Sequence, residues 1–228
     1  MLFYHDHITP ESISGPQLDH ALALGWYRTH QSIFTTSHVE LGEQYRVHWL
    51  RFPLAEIEES SSSRRIRKKN KSFRVLIEDF ETIRPDHQEL HRRYRDSINF
   101  DGADSIQASL FGEASTDTNI FTTKCISVFD KDVLIAGGYF DVGKISAASI
   151  LHFFDPEYKR FGLGKYLILV TIDYLKQQGF TLYYPGYVVE GLSKMDYKLF
   201  LGREAARYFE PETLAWKYFD ERILSSGE

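Results

Sequence analysis

Apolar and polar positions follow regular patterns through the C-terminal two thirds of the chain. Short runs rich in apolar residues predict five strands, and two stretches with helical spacing predict helices. The predicted strands are residues 73–80, 120–129, 133–142, 144–154 and 180–189, the predicted helices are residues 87–98 and 162–178, and residues 102–119 are expected to form a surface loop. Strands joined by short turns are followed by a strand–helix–strand unit. This order predicts an α/β fold with a mixed sheet flanked by helices.

The first part of the chain shows a weaker pattern. Thr9-Pro10-Glu11 is typical of a helix start, and Gly25 is expected to end that helix. Residues 32–36 and 45–52 are predicted to form two short strands. An α+β unit of this size is too small to stand alone, so we expect it to pack on the larger region.

Positive charge is concentrated between these two regions. Serines at 60–63 precede six of the 27 basic residues, which fall within eight positions: Arg64, Arg65, Arg67, Lys68, Lys69 and Lys71. A run of this kind is usually a solvated, mobile segment, but it also suits contacts with several phosphates. We therefore predict a small N-terminal region (residues 1–60), a basic linker (residues 61–71) and a main domain (residues 72–228).

Composition narrows the class of protein. Apolar residues make up 43% and charged residues 26% of the chain, with a net charge of −5, as in ordinary soluble proteins. No apolar run reaches the length of a membrane span, and the N-terminus lacks the features of a signal peptide. The lone Cys125 excludes an internal disulfide and a cysteine-rich metal site. His5 and His7 are interpreted as surface or packed residues, so we expect a cytoplasmic protein without bound metal or cofactor.

Aromatic residues are unusually frequent, at 15% of the chain. A densely packed core with tyrosines at its edge accounts for this frequency. Stacking surfaces for nucleic-acid bases are a second explanation for it. Composition alone leaves both interpretations open.

A glycine-containing turn carries the clearest local chemistry. The run Lys159-Arg160-Phe161-Gly162-Leu163-Gly164-Lys165 lies between a predicted strand and a predicted helix. Glycines allow close approach to a ligand, and the first amides of a helix attract anions. The predicted phosphate-binding residues are Lys159, Arg160, Gly162, Gly164 and Lys165. The turn resembles the pyrophosphate loop of the GNAT acetyltransferases, with Lys159 at the position where that family usually has Arg or Gln.

Further segments resemble the arginyl-tRNA–protein transferases and their bacterial leucyl-transferring relatives. They occur in the family's order along the chain, at residues 24–28, 63–70, 153–158, 163–166, 183–187 and 193–198. Two departures stand out. No cysteine precedes Cys125, whereas the N-terminal region of the family carries a metal-binding cysteine cluster, and Tyr27 stands where the family has an Arg.

The resemblance implies a GNAT-like catalytic domain and an acyltransferase activity. The donor would be arginyl- or leucyl-tRNA, and the acceptor the N-terminal acidic residue of a protein, which would thereby become an N-degron; no membrane or DNA partner is implied. An aminoacyl ester is already activated, and a protein α-amine has a pKa of about 7.7–8.0. Such an enzyme mainly positions its reactants and stabilises an oxyanion, so no catalytic triad is expected.

The candidate site residues follow from these comparisons. The catalytic candidates are Tyr184, Tyr187, Lys194 and Tyr197; the tRNA-binding candidates are Arg64, Arg65, Lys68, Lys69 and Asn70; the candidates for the acceptor carboxylate are Arg28 and Lys198. Backbone amides of a split sheet are a further source of oxyanion donors. Two other functions stay open: an acetyl-CoA-dependent GNAT N-acetyltransferase, and a non-catalytic relative that binds tRNA or protein.

Overall fold

The computed structural model describes residues 4–99, 102–112 and 118–224. The α-helices are α1 (Gly15–Ala23), α2 (Ser61–Asn70), α3 (Pro85–Asp96), α4 (Ile106–Phe111) and α5 (Leu163–Gln177). The strands are β1 (His5–Ile8), β2 (Tyr27–Thr29), β3 (Ser32–Thr36), β4 (His38–Leu41), β5 (Glu43–Pro53), β6 (Arg74–Asp79), β7 (Thr123–Asp130), β8 (Val133–Val142), β9 (Ser146–Phe154), β10 (Leu182–Val189), β11 (Arg207–Glu210) and β12 (Ala215–Tyr218). Short 3₁₀ helices cover Leu54–Glu56, Pro156–Phe161, Ser193–Leu201 and Glu221–Leu224.

The large sheet has the mixed topology that the sequence predicts. Its strand order is β12-β11-β5-β10-β9-β8-β7-β6, and β4 adds to β5 at one end. Strands β9 and β10 run parallel, whereas the other paired neighbours run antiparallel. Parallel neighbours need a crossover connection, and α5 provides it. The predicted mixed sheet flanked by helices is thus confirmed.

Helix α5 forms where the sequence predicts it because its apolar residues recur at helical spacing. Leu163, Leu167 and Leu175 are completely buried, and the helix packs on β8 and β9. Gly162 precedes the helix with φ +67°, a left-handed conformation that favours glycine. This packing holds the start of α5 at the end of β9.

The N-terminal region shares the core of the main domain. Strands β1, β3 and β2 form a small sheet of their own, but β5 lies between β11 and β10 in the large one. The rings of Tyr27 and Trp49 stack with centroids 3.9 Å apart, which joins the small sheet to β5. Residues 1–60 therefore contribute both a central strand and an aromatic cluster to the same body.

The segment predicted as a basic linker is helix α2. The Ser60 side chain caps it by accepting a hydrogen bond from the Ser63 amide at 3.0 Å. Ile66 packs against the main core, and α2 contacts α5. Serines that suggest flexibility thus act as a helix start, and Ile66 docks the helix on the core.

Two other local predictions are wrong. Helix α1 begins after Ser14, not at Thr9, since the Gln17 side chain accepts the Ser14 amide at 2.8 Å. The predicted surface loop contains α4, whose Ile106 and Leu110 are buried; its residues 113–117 lie outside the described part. In the described ranges, no helix is both long and apolar enough to cross a membrane.

Candidate active site

Strands β9 and β10 separate at the centre of the large sheet. Their pairing ends at Ala148 and Tyr184. Beyond that point β10 shifts register between Tyr183 and Gly186 in its pairing with β5, and β9 has an irregularity in its pairing with β8. Bulges of this kind bend strands and redirect backbone groups. The facing edges of β9 and β10 therefore border a gap rather than a ladder.

A cavity of about 350 Å³ opens at this gap. Four parts of the chain line it: Tyr27, Arg28, Phe34 and Trp49 from the N-terminal region; His91, Tyr94 and Arg95 from α3; Ser149, Ile150, Leu151 and His152 from β9; and Pro185, Gly186, Tyr187, Met195, Tyr197 and Lys198 from β10 and the 3₁₀ helix that follows it, with Ile98, Gly102 and Ala103 completing the wall. Three lining side chains are cationic, and none of the lining residues described is a carboxylate. Two of the three pair with carboxylates outside the lining, Arg28 with Asp141 and Arg95 with Asp104. Lys198 is therefore the lining cation that forms no ion pair among the described contacts.

Lys198 is a strongly perturbed ionisable group in the cavity wall. Its side chain is largely buried, and its Nζ donates a hydrogen bond to the Tyr187 carbonyl at 2.8 Å. Burial lowers the pKa of Lys198 to about 8, against the opposing effect of the Asp196 carboxylate. The rings of Tyr187 and Tyr197 lie 5.5 Å and 5.1 Å from Nζ. A lysine held in this way is able to donate a hydrogen bond and to exchange a proton near neutral pH.

The four catalytic candidates divide into two pairs. Tyr187 and Tyr197 line the cavity. Although Tyr197 is 47% exposed as a whole, desolvation of its hydroxyl raises its pKa to about 12, so both are neutral hydrogen-bonding groups. Tyr184 is completely buried and packs edge-on against Tyr27, outside the cavity lining. Lys194 is exposed and is likewise absent from the lining. The structure brings Tyr187, Tyr197 and Lys198 together but not Tyr184 or Lys194.

Arg28, a candidate for the acceptor carboxylate, is already bound to a carboxylate of the protein. Its Nη1 lies 2.9 Å from the completely buried Asp141 and 3.1 Å from the Thr123 hydroxyl. Its other nitrogens donate to the His30 carbonyl at 2.6 Å and the Leu110 carbonyl at 2.8 Å. The guanidinium therefore holds β2, α4 and β8 together at the cavity wall.

The cavity also contains residues that the sequence does not single out. His91 and Tyr94 lie on one face of α3, and Ser149 and His152 lie on β9. Burial lowers the pKa of His152 to about 4, so its imidazole is neutral at physiological pH. The spacing of His91, Tyr94 and Arg95 does place them on one helix face, but only the packing of α3 on β8 and β9 directs that face to the cavity.

The two basic segments of the sequence lie side by side. Lys69 of α2 donates a hydrogen bond to the carbonyl of Arg160, 91 positions further along the chain. We call the exposed cations of the two segments the basic surface; they are Arg64, Arg65, Lys68, Lys69, Lys159, Arg160 and Lys165. Among the described contacts, none of these seven side chains forms an ion pair. Their charge is available to an anionic ligand.

Two polar residues of α2 make contacts within the protein instead. Asn70, a tRNA-binding candidate, is completely buried, and its amide donates to the carbonyls of Ile66 at 2.8 Å and Phe161 at 3.0 Å. Arg67 pairs with Asp173 of α5 and lies 3.1 Å from Glu59. Asn70 is therefore not a tRNA contact: it attaches the glycine turn to α2.

The glycine turn has the geometry expected of an anion site. No side chain caps the start of α5 at Gly162, so the first amides of α5 point outward without a side-chain partner. A Cβ at Gly164 would meet the Phe154 ring at 3.5 Å, so this first turn lies directly on the end of β9. The helix dipole and the three cations of the turn act in the same direction.

The family comparison agrees with this arrangement. The sequence profile described as "Arginine-tRNA-protein transferase, C terminus" matches residues 86–204, which hold α3, the split strands, the glycine turn and the 3₁₀ helix with Lys198. The chain belongs to this family. Grouped His, Cys, Asp or Glu side chains that would hold a metal ion are absent from the described residues.

Similar proteins carry related names. An aspartate/glutamate leucyltransferase of Paracoccus denitrificans (strain Pd 1222) is 30% identical over 161 residues, which cover 65% of this chain and 57% of that protein. Another of Maricaulis maris (strain MCS10) is 29% identical, covering 81% of this chain and 72% of that protein. Arginyl-tRNA--protein transferase 2 of Arabidopsis thaliana is 27% identical, covering 62% of this chain and 27% of that protein. The chain thus spans little more than half of the Paracoccus relative and about a quarter of the Arabidopsis one.

Solved structures show more distant similarity. FemX superposes with a TM-score of 0.43 at 10% identity, over 84% of this chain and 65% of that chain. The ribosomal-protein-S18-alanine N-acetyltransferase of Escherichia coli gives a TM-score of 0.33 at 20% identity, over 46% of this chain and 62% of that chain.

Proposed function

We propose that this protein transfers an aminoacyl group from charged tRNA to the α-amine of an acidic N-terminal residue of another protein. One observation carries the proposal: the glycine turn of the basic surface, suited to a phosphate backbone, packs on Phe154 at Gly164, and the Phe154 ring lies 5.0 Å from that of Tyr94 in the wall of the cavity at the sheet split. The family relatives named above as leucyl- and arginyltransferases support the same reaction class. Charged tRNA is a cytoplasmic molecule, so the proposal implies a cytoplasmic protein, and its product would be an N-degron.

The transfer needs no external activation. The neutral α-amine attacks the ester carbonyl of the aminoacyl-tRNA, forming a C–N bond and a tetrahedral oxyanion. The C–O bond to the terminal ribose then breaks, the amine gives up a proton, and the ribose oxygen gains one. Positioning and oxyanion stabilisation supply most of the rate.

The cavity offers groups for each of these needs. Backbone amides at the split edges and the Nζ of Lys198 are donors for the oxyanion, and a Lys198 with a pKa of about 8 is matched to the α-amine for proton exchange. Tyr187 and Tyr197 border the same space and would orient the reactants by hydrogen bonds. No role is required of a metal or of a bound cofactor.

The cavity lining also bears on the specificity for the acceptor and for the donor. An acidic acceptor side chain is attracted by Lys198, the lining cation that forms no ion pair among the described contacts, whereas an arginyl group would find no carboxylate partner among the described lining residues. Tyr27, Phe34 and Trp49 offer an apolar wall to an aliphatic side chain. Of the two donors, the cavity therefore favours leucyl-tRNA.

Incubation with radiolabelled leucyl- or arginyl-tRNA and short peptides tests the proposal. Peptides that begin with Asp or Glu should gain label, and their isosteric Asn and Gln counterparts should not. Ribonuclease treatment before incubation should abolish the transfer. Absence of label on both acidic peptides with both donors would refute the proposal.

The same assay separates the two alternatives. An N-acetyltransferase would label peptides from radiolabelled acetyl-CoA, and acetyl-CoA would raise its melting temperature. A non-catalytic relative would bind tRNA in a salt-dependent way without turnover. Label from leucyl-tRNA and no thermal shift with acetyl-CoA would exclude both.

A further inference from the structure

We infer that a row of aromatic rings between the basic surface and the cavity binds the unpaired 3′ end of the donor tRNA. The rings belong to Phe161, Phe154, Phe200 and Tyr197, which we call the aromatic track. The inference rests on the proposed function, since it concerns the donor of that reaction. It assigns a ligand to side chains for which the sequence analysis gave no role, Tyr197 excepted.

The outer part of the track combines rings with exposed cations. Lys69 Nζ and Arg160 Cζ lie 5.8 Å and 5.0 Å from the centre of the Phe161 ring. Lys165 Nζ lies 5.2 Å from the centre of the Phe200 ring. Both rings are only partly buried against the core. An exposed lysine or arginine side chain keeps its charge in water, so each of these cations can turn toward a phosphate and uncover the ring face for a base.

The inner part of the track reaches the cavity. The start of α5 touches Phe154 at Gly164, and the Phe154 ring lies 5.0 Å from that of Tyr94, which lines the cavity. Tyr197 also lines the cavity, is 47% exposed and has Lys198 Nζ 5.1 Å from its ring. From the first turn of α5, contacts therefore lead to the cavity wall through β9 as well as through the 3₁₀ helix.

Alternating rings and cations match the chemistry of a single strand. Bases stack on aromatic faces whatever their sequence, and the phosphates between them pair with positive side chains. A duplex exposes no base faces along its length, so a stem would meet the basic surface through phosphates alone. The aromatic track adds the element that an unpaired end requires and a duplex cannot use.

Binding of two uncharged RNA minihelices tests the inference. One copies a tRNA acceptor stem with its unpaired 3′ tail, and the other is the same stem made blunt. The wild-type protein should bind the tailed RNA more tightly in a fluorescence anisotropy titration. Phe200→Leu and Phe161→Leu should each weaken tailed binding about tenfold, the effect of losing one stacked base, and leave blunt binding unchanged.

Phe219→Leu is the matched control. Phe219 is also partly buried against the main core and has Arg203 Cζ 5.9 Å from its ring, but it lies outside the track. It should change neither affinity. Thermal melting checks that the three variants fold. If one track variant does not fold, RNA binding by the other track variant decides the test.

Three results would overturn the inference: equal wild-type affinity for tailed and blunt RNA, an equal loss on both RNAs in the track variants, or no loss on either. Because the RNAs are uncharged, these results do not depend on catalysis. If the protein labels acidic peptides but binds both RNAs equally, the proposed function stands and the role of the aromatic track is refuted. If the protein binds the tailed RNA more tightly but labels no peptide, the role of the aromatic track stands and the proposed function is refuted.

Discussion

Replacing Arg28 by methionine should destabilise the fold rather than change acceptor recognition. The Arg28 side chain is 4% exposed and its partner Asp141 is completely buried. Methionine keeps much of the aliphatic volume but leaves the Asp141 carboxylate without its counter-ion. Breaking a buried ion pair from one side costs about 3–5 kcal/mol. Loss of the donors to the Leu110 and His30 carbonyls places the expected cost toward the upper end of that range.

Urea denaturation followed by circular dichroism measures this cost. Because the penalty comes from the orphaned charge, the double variant Arg28→Met/Asp141→Leu should recover a large part of the lost stability. Arg222→Met is the matched control: its pair with Asp220 lies at the surface, with Arg222 90% exposed, and its loss should change the urea midpoint little.

One result would refute this reasoning. Arg28→Met would have to unfold at the wild-type urea concentration and raise the KM for peptides beginning with Asp or Glu. That result would show that Arg28 binds the acceptor carboxylate, as the sequence predicts, and that Asp141 is satisfied by other groups.

Further predictions concern charge and packing elsewhere. Burial lowers the pKa of Lys198 from 10.5 to about 8. Between pH 8 and pH 10.5, this lysine is therefore protonated in the unfolded chain but mostly neutral in the folded protein. The wild type should therefore gain stability relative to Lys198→Met as the pH rises from 8 to 10.5, by about 3 kcal/mol at most. Asp19→Ala should lower the free energy of unfolding by about 2–4 kcal/mol, because the carboxylate accepts three backbone amides and the Ser146 hydroxyl. Lys68→Glu/Lys69→Glu should weaken tRNA binding and flatten the dependence of log affinity on log salt by roughly 2.

Each of these measurements has a matched control. For the pH titration, the control is Lys194→Met, which removes an exposed lysine. The wild type should gain no stability relative to this variant between pH 8 and pH 10.5. Asp104→Ala, at a side chain 94% exposed, should change the melting temperature little, and an equal change in both variants would contradict the anchoring role of Asp19. Lys144→Glu/Lys176→Glu changes the same charge outside the basic surface; an equal loss of tRNA affinity there would show a general charge effect.

Local pattern predicted those parts of the fold whose determinants are local. Helix α5 and its flanking strands follow from apolar spacing and from the glycines that bound them. The same reasoning failed at α2, because cations and serines describe a solvated run equally well in a linker and on the outer face of a helix. What decides between them is the packing of Ile66 and the burial of Asn70, which only the folded partner surface determines.

The candidate site divides in the same way. The family motifs named Tyr187, Tyr197 and Lys198, which do reach the cavity, together with Tyr184 and Lys194, which do not. Residue type is visible in a sequence, but the direction of a side chain on a bulged strand depends on the register of its neighbours. His152 belongs to the cavity for this reason, whereas the α3 residues reach it because α3 packs on β8 and β9. Neither set carries a motif that would reveal it.

By itself, the sequence determined the mixed α/β class, the family and the two segments rich in positive charge, since each is a property of residue order. The tertiary structure decided that those two segments meet across 91 positions, that Arg28 and Asn70 are interior anchors, and that the sheet opens between β9 and β10. Long-range packing sets these features, because the free energy of burying a side chain depends on surfaces contributed by distant parts of the chain.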